Sequence, residues 1–159
     1  MEHNHDPAKM LARAVALATS NVASGGGPFA ALVVTADGKV FEGANRVTAD
    51  FDPTAHAEVS AIRNACSSTA TFDLSGALLY SSCEPCPMCL AAALWARVER
   101  VYFAADRHDA AAAGFDDAAF YSYFADPEAS RLLTVAQVSL PISNEPFDLW
   151  QSTEVKTEY

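Results

Sequence analysis

The N-terminal segment of the chain carries apolar side chains at helical spacing. Asp6 followed by Pro7 is typical of an N-cap and a first helical residue, so a helix is predicted to begin there. It is predicted to end before the glycines at 25–27. The positions that recur with helical period are Met10, Leu11, Ala14, Val15, Ala18 and Val22.

A hairpin is predicted after these glycines. Residues 29–34 form an apolar run that is typical of a buried strand, and the Asp37-Gly38 pair is typical of a tight turn. Residues 39–44 are more polar, as expected of an edge strand. Because a short turn joins them, the two strands are predicted to be antiparallel.

The middle of the chain alternates helical and strand-like segments. Thr54 is predicted to cap a second helix that runs to about Cys66. The apolar runs at 77–80 and 101–105 are predicted strands, and an alanine-rich helix through about Ala96 lies between them. A helix that crosses between two strands of one sheet makes these strands parallel and the connection right-handed.

The last third of the chain adds a helix at 117–124, a short strand near 134–138 and a final helix at 145–152. Together the elements predict a three-layer α/β arrangement, with helices on both faces of a mixed sheet of about five strands. The length of 159 residues is typical of one domain, so residues 1–159 are predicted to form a single unit.

Composition and charge narrow the class of partner. Hydrophobic residues make up 51% of the chain and charged residues 19%, which is typical of a packed globular protein. Twenty acidic against ten basic residues give a formal net charge of -10, which disfavours nucleic acid as a ligand. The longest apolar run, 88–96, is nine residues, against about 20 for a membrane span, and no export signal is evident. A cytoplasmic protein without a membrane partner is therefore expected.

Cysteine and histidine spacing predicts a zinc site. His56 lies near the start of the second predicted helix, and Cys86 and Cys89 lie at the start of the alanine-rich one, so the sequence offers one imidazole and two thiolates as ligands. If both motifs open helices, their partial positive charges face one metal and favour the Cys86 thiolate. Three protein ligands leave one position open, and a water bound there would lose its proton near neutral pH.

Glu58 is the predicted proton carrier of this site. It lies two residues after His56, so it can reach the metal-bound water without binding the metal. The hydroxide would then act as the nucleophile, with Glu58 as proton shuttle. The alternative is a purely structural zinc site in which Cys83, Cys86, Cys89 and His56 fill all four positions. Glu58 would have no role in such a site.

The pairing of H-x-E with P-C-x-x-C resembles the signature of the zinc-dependent base deaminases. The resemblance covers most of residues 8–159 and points to the bacterial guanine deaminases of the cytidine deaminase superfamily. The segments that carry it are Asn45, 52–58, 82–89, 95–97 and 113–117. It implies the cytidine deaminase-like three-layer fold, one zinc per subunit, and hydrolysis of guanine to xanthine and ammonia in purine catabolism or salvage.

The resemblance also implies substrate contacts for this small purine base. Asn45 and the backbone amide of Ala57 would bond the purine, and Phe29 and Trp95 would pack on its face. Asp117 would contact the guanine edge or assist proton transfer. From the residues alone, Asn45 could equally be a turn residue, the two aromatics could belong to the core, and Asp117 could be part of a helix cap.

The C-terminal segment is unusually aromatic for a chain end, with Phe147, Trp150 and Tyr159. The resemblance implies that this segment is exchanged between two subunits and that Tyr159 closes over the partner's site. A domain-swapped homodimer is therefore expected, against a tail that packs on its own chain or is mobile.

Three other functions fit the zinc motif. A transfer-RNA adenosine deaminase shares the site but must hold a polyanion, which the net charge disfavours. The same machinery could deaminate cytosine, guanosine or an aminotriazine such as ammeline, depending on pocket size. A zinc-stabilised binding module without activity belongs to another class, and the presence of Glu58 speaks against it.

Overall fold

The computed structural model describes residues 6–126 and 132–159. Within these residues the strands are Ala30–Val34 (β1), Val40–Ala44 (β2), Leu78–Cys83 (β3) and Arg100–Ala105 (β4). The helices of the same residues are Pro7–Ala23 (α1), Val47–Asp50 (α2), Ala57–Thr69 (α3), Pro87–Trp95 (α4), Arg107–Ala112 (α5), Asp117–Ala125 (α6) and Glu145–Ser152 (α7).

The strands form one mixed sheet in the order β2-β1-β3-β4. β1 pairs antiparallel with β2 and with β3, which confirms the predicted hairpin. β3 pairs in parallel with β4 across α4, as predicted for a crossover helix. The central strands β1 and β3 are buried along their whole length, so they form the middle of the core.

Helices cover both faces of this sheet, which gives the predicted three-layer α-β-α arrangement. Alternate residues of a strand point to opposite faces. Leu32 and Tyr80 therefore pack with Met10 and Ala14 of α1 on one face. On the other face, the sheet packs against α3 and α4 through Ala31, Val33, Leu79, Ala57, Ala61, Ile62, Ala65 and Ala93.

Helix α1 begins as predicted. The side chain of Asp6 accepts a hydrogen bond from the amide of Ala8 at 3.0 Å, and Pro7 opens the helix. The buried face of α1 is narrower than its apolar pattern predicted, because Val15 and Val22 are 43% and 51% exposed. Its buried residues are Met10, Ala14 and Ala18.

Gly43 of β2 lets α3 lie unusually close to the sheet. A Cβ at this position would be 2.2 Å from the carbonyl oxygen of Ala57 and 2.3 Å from the amide nitrogen of Ala61, so no larger side chain fits. The N-terminus of α3 is thereby fixed against the end of the β1–β2 hairpin. The adjoining His56 and Glu58 inherit this fixed position.

Thr54 was predicted to cap the second helix, and this prediction is wrong. Helix α3 begins at Ala57, and His56 occupies the N-cap position. The amide and hydroxyl of Thr54 instead bond to the Asp52 carboxylate at 2.8 and 2.7 Å. A short polar side chain competes with helix formation in this way, which holds the chain in a turn for two more residues.

The predicted strand at 134–138 is absent from the sheet of the described residues, which has four strands where about five were expected. Val135 and Val138 are 78% and 80% exposed, so this segment has no partner within its own chain as described. Helices α2 and α5 were not predicted, since helices of four and six residues are too short to show a period. None of the described helices has the length and hydropathy to cross a membrane.

Candidate metal centre and active-site cavity

Two helix N-termini bring the predicted metal ligands together. His56 is the N-cap residue of α3, and Cys86 is the N-cap residue of α4. Cys89 lies in the first turn of α4 and is fully buried. The first amides of a helix have no intrahelical acceptors, so both termini contribute partial positive charge to this point.

The ligand atoms have the spacing of a tetrahedral zinc site. Sγ of Cys86 and Sγ of Cys89 are each 3.5 Å from Nδ1 of His56, and the two sulfurs are 3.6 Å apart. With Zn–S bonds of about 2.3 Å and Zn–N bonds of about 2.0 Å, tetrahedral geometry requires S–S and S–N separations of about 3.8 and 3.6 Å. One imidazole and two thiols of this spacing fit zinc, with a fourth position open. They are the one group of potential metal ligands found among the described residues.

Electrostatics favour a thiolate in this cluster. The hydrogen bond between the two cysteine sulfurs, together with the facing His56 ring, lowers the pKa of Cys86 to about 4. The same hydrogen bond and burial raise the pKa of Cys89. The Cys86 sulfur also raises the pKa of His56.

Glu58 is buried beside the ligands, with 6% of its surface exposed. Its Oε2 atom is 3.4 Å from Sγ of Cys89, and its Oε1 atom accepts a hydrogen bond from the Ser81 hydroxyl at 3.1 Å. Burial raises the pKa of this carboxyl group. A buried carboxyl group with a raised pKa is suited to taking up and releasing a proton during a reaction.

Cys83 lies apart from this cluster. It is the last residue of β3, and its thiol faces the carbonyl oxygen of Asp106 at 3.5 Å. Burial raises the pKa of this thiol to about 11, and its sulfur is not part of the group of potential metal ligands found among the described residues. This placement supports three protein ligands over the closed four-ligand alternative.

A cavity of about 250 Å³ opens onto the cluster. It brings together most of the predicted site residues, namely Phe29, Asn45, His56, Glu58, Cys86 and Asp117. Other lining residues had no role assigned from sequence: Gly27, Val47, Thr48, Glu84, Phe115, Asp116 and Phe120. Ala57, buried at the first position of α3, places its amide beside His56.

Hydrogen bonds from neighbouring segments hold the backbone of Asn45 in place. Its amide donates to the carbonyl of Phe29 at 3.0 Å, and its carbonyl accepts from Nδ2 of Asn21 at 2.9 Å. Nδ2 of Asn21 is also 2.8 Å from the carbonyl of Gly27. A Cβ on Gly27 would lie 2.9 Å from Oδ1 of Asn45, so this glycine makes room for the amide side chain.

The opposite side of the cavity is formed by α6 and the residues before it. Phe115 packs edge-to-face on Phe29, with ring centroids 4.8 Å apart. Asp117 is the first residue of α6, preceded by the N-cap residue Asp116, whose side chain makes no capping bond. Burial raises the pKa of Asp117.

The structure does not bring Trp95 or Tyr159 to the cavity of their own chain. Trp95 ends α4, whereas the metal ligands lie at its start, and nine helical residues span about 13 Å. Its side chain is 62% exposed, and Tyr159 is 74% exposed. The two rings contact each other, with centroids 5.9 Å apart.

Residues that the sequence did not reveal fall into two kinds. Glu84 and Phe115 lie inside the segments that resembled a known family, so position alone could have suggested them. Ser81 and Asn21 lie outside any motif, and only tertiary contacts identify them as supports of Glu58 and Asn45.

Residues 4–105 match the family model of the cytidine and deoxycytidylate deaminase zinc-binding region. The chain is 46% identical over 157 residues to guanine deaminase from Bacillus subtilis, which covers 98% of this chain and 99% of that protein. The crystal structure of that deaminase superimposes with a TM-score of 0.90 at 46% identity, over 100% of this chain and 99% of the other.

Similarity extends more weakly to other deaminases. A structure of guanine deaminase from Nitrosomonas europaea matches with a TM-score of 0.66 at 35% identity, covering 70% of this chain and 65% of that chain. A tRNA-specific adenosine deaminase from Haemophilus influenzae is 37% identical over 115 residues, which is 69% of this chain and 66% of that protein.

Proposed function

This chain belongs to the family of the cytidine and deoxycytidylate deaminase zinc-binding region, and we propose that it is a guanine deaminase that hydrolyses guanine to xanthine and ammonia. The choice of guanine as the substrate rests on the 46% identity over 157 residues, which extends far beyond the metal ligands. In the reaction, water adds oxygen to C2 of the purine, the C2–N bond breaks, and the amine leaves as ammonia.

One zinc ion per subunit would be held by Nδ1 of His56 and the sulfurs of Cys86 and Cys89. When bound, it supplies the Lewis acidity that makes water a nucleophile near neutral pH. The protein contributes the two helix N-termini and the burial that keep these ligands in place.

Glu58 would carry the protons of the reaction. Its carboxylate takes one proton from the attacking water and passes it to a ring nitrogen. It then takes the remaining proton from the hydroxyl group now bonded to C2 and passes it to the leaving amine, which departs as ammonia. The Ser81 hydroxyl bonds to Oε1, so rotation of the carboxylate is restricted and Oε2 stays at the metal ligands.

The rest of the cavity suits a flat base. The Asn45 side chain and the backbone amide of Ala57, which has no intrahelical acceptor, supply polar contacts for the purine. The ring of Phe29 supplies an apolar face, and Phe115 packs against that ring. Asp117 would contact the guanine edge or assist proton transfer.

The C-terminal segment would complete the site from a second subunit, in a domain-swapped homodimer. Every described residue from 132 to 159 is exposed except Thr153 and Lys156, although the segment is rich in large apolar side chains. Such a surface is normally covered by a partner. Because Trp95 and Tyr159 lie away from their own cavity and touch each other, both would serve the substrate in the partner's site.

Mixed dimers test this exchange. Tyr159→Ala should raise KM for guanine with zinc content unchanged, whereas Glu158→Gln should leave KM unaltered. Co-expression of Tyr159→Ala with Glu58→Gln should restore the native KM, because one site of each mixed dimer then holds an intact Glu58 and the partner's Tyr159. Failure to restore KM, or a monomer by light scattering, would contradict the swapped dimer.

Residues 1–159 would thus act as one domain whose last segment docks on a second copy. A reducing cytoplasm keeps the Cys86 and Cys89 thiols available to the metal, which supports a cytoplasmic role in purine catabolism or salvage.

A substrate panel tests the activity. We expect zinc-loaded protein to release ammonia rapidly from guanine, and not from guanosine, adenine, cytosine, cytidine or ammeline, with Glu58→Gln as the blank. Turnover of another panel member alone would overturn the choice of guanine. If no compound reacts, a transfer-RNA substrate or a binding module without activity would replace this proposal.

A further inference from the structure

Helix α6 forms one wall of the cavity, yet it contributes nothing to the hydrophobic core. None of its residues is buried, and Phe120 and Phe124 are 43% and 67% exposed. Apolar packing within the chain therefore cannot fix its position well. Because α6 begins with Asp117, some other interaction must hold that carboxylate in place.

Tyr121 makes the first such interaction. Its hydroxyl donates a hydrogen bond of 2.6 Å to the carbonyl oxygen of Pro85, a fully buried residue directly before Cys86. Tyr121 follows Asp117 by four positions, so the two side chains lie on the same face of α6. A bond from Tyr121 to the metal-binding loop thus restrains the turn of helix that carries Asp117.

Arg107 makes the second interaction. Its guanidinium carbon lies 3.4 Å from the centre of the Tyr121 ring. Its Nη2 and Nε atoms donate to the two carboxylate oxygens of Glu84 at 2.5 and 3.0 Å, and its backbone amide donates to Oε2 at 3.0 Å. The pair is partly shielded, with 31% of the Arg107 and 15% of the Glu84 side chain exposed, and its two-pronged geometry is the strong form of such a contact.

These contacts close a ring. Glu84 and Pro85 are adjacent in the chain, Glu84 binds Arg107, Arg107 stacks on Tyr121, and Tyr121 returns to Pro85. We call Glu84, Arg107 and Tyr121 the α6 clamp. It joins three separate parts of the chain: the loop before α4, the start of α5 and the middle of α6.

We infer that Arg107 and Tyr121 are positioning residues for the deamination: with Glu84 they fasten α6 to the loop before Cys86 and hold Asp117 at the cavity that it shares with Glu58. The inference rests on the proposed function only through the role of Asp117. Neither residue needs to touch the substrate, and each acts through the placement of the helix.

Hydrogen exchange tests the clamp without reference to activity. Tyr121→Phe removes one hydroxyl and keeps the ring under Arg107, so the fold should survive. We expect amides of 117–126 to exchange faster than in the wild type, with those of α3 unchanged. Tyr123→Phe, a hydroxyl deletion two residues further along the same helix, is the matched control. Unchanged exchange at 117–126 would overturn the clamp.

Kinetic coupling tests whether the clamp acts through Asp117. Tyr121→Phe should lower kcat for guanine roughly three- to tenfold, in line with the loss of one positioning hydrogen bond. In an Asp117→Asn background the same change should have almost no further effect, because the group it positions is already disabled. Additive losses, or loss of zinc from Tyr121→Phe, would mean that Tyr121 supports the metal loop instead, and the inference would fail.

Arg107→Lys gives an independent second test. Lysine keeps the charge but loses the two-pronged bond and the flat stacking surface, so it should also speed exchange in α6 and show coupling to Asp117. If the wild type releases no ammonia from guanine, the proposed function fails. The exchange measurements on both variants then still decide for or against the clamp.

Discussion

The cavity has two walls that are built on different principles. The zinc wall, formed by His56, Glu58, Cys86 and Cys89, belongs to the core: Cys89 is fully buried, Glu58 is 6% exposed, and α3 buries six of its residues. The helix wall is formed by Asp117 and Phe120 of α6 and by Phe115 just before this helix, and α6 buries none of its residues. It is held by the α6 clamp, three polar and aromatic contacts near the surface.

This difference matches the demands of each side. Metal ligation and proton transfer need atoms fixed to within fractions of an ångström, which the packed sheet and two helix N-termini supply. The helix wall depends on the few contacts of the α6 clamp, so the loss of one contact loosens this wall without disturbing the packed core. Substitutions in the zinc wall should therefore abolish chemistry, whereas those in the helix wall should weaken it by degrees.

The largest expected effect comes from the metal ligands. Cys89→Ser should eliminate zinc binding and all turnover, because a hydroxyl does not replace a thiolate in a site of this spacing. Cys83 is another buried cysteine, six residues earlier, and Cys83→Ser should retain zinc as measured by metal analysis. Zinc loss in Cys83→Ser would show that the zinc wall includes a fourth ligand.

Glu58→Gln should remove most of the turnover while zinc binding is retained. Loss of a general acid–base group typically lowers kcat by about 10²- to 10⁴-fold, and here the carrier of several protons would be removed. Zinc content should stay at the wild-type level, since Glu58 is not among the ligand atoms. Glu42→Gln is the matched control, because this exposed carboxylate pairs with Arg13 away from the cavity. A Glu58→Gln variant with near wild-type kcat would refute the proton shuttle.

The two walls also differ in how far the sequence predicted them. His56, Cys86 and Cys89 follow a spacing with few alternatives, and the inward face of α3 follows from its hydrophobic periodicity, so most of the zinc wall was predicted. The hairpin, the crossover and the final helix were predicted for the same reason: each shows a local pattern. The prediction that Thr54 caps the helix was wrong because a turn closed by the Asp52 carboxylate extends the loop beyond this residue.

The helix wall was predicted only in part, because tertiary contacts define it. Nothing local indicates that Tyr121 reaches Pro85, or that Arg107 binds Glu84 across 23 positions. The strand expected at 134–138 has no neighbouring strand within the described chain, and strand formation depends on a partner. Trp95 was assigned to the cavity by resemblance, and its position at the far end of α4 follows from helix length.

Asp117→Asn measures what the helix wall contributes. Loss of a charged hydrogen-bonding group should lower kcat/KM for guanine roughly ten- to a hundredfold, well below the effect of Glu58→Gln. Asp50→Asn removes an exposed carboxylate that pairs with Arg46 outside the cavity, and should leave kcat/KM unchanged. Activity of Asp117→Asn close to that of the wild type would remove this residue from the mechanism and leave the helix wall a purely steric boundary.

The smallest expected effect separates support of the chemistry from support of the fold, at two serines of β3 behind the zinc wall. Ser81 and Ser82 are adjacent, buried hydroxyls on β3 that point to opposite faces of the sheet. Ser81 donates to Oε1 of Glu58 at 3.1 Å, whereas the Ser82 oxygen accepts from the amide of Ala30 at 3.1 Å. Ser81→Ala should therefore lower kcat roughly two- to tenfold with little change in KM, because the proton carrier loses its restraint. Ser82→Ala should instead lower the midpoint of thermal unfolding while kcat stays unchanged, because only a backbone amide loses its acceptor. Equal kinetic losses in both variants would show that the zinc wall depends on general rigidity of β3 and not on the specific bond to Glu58.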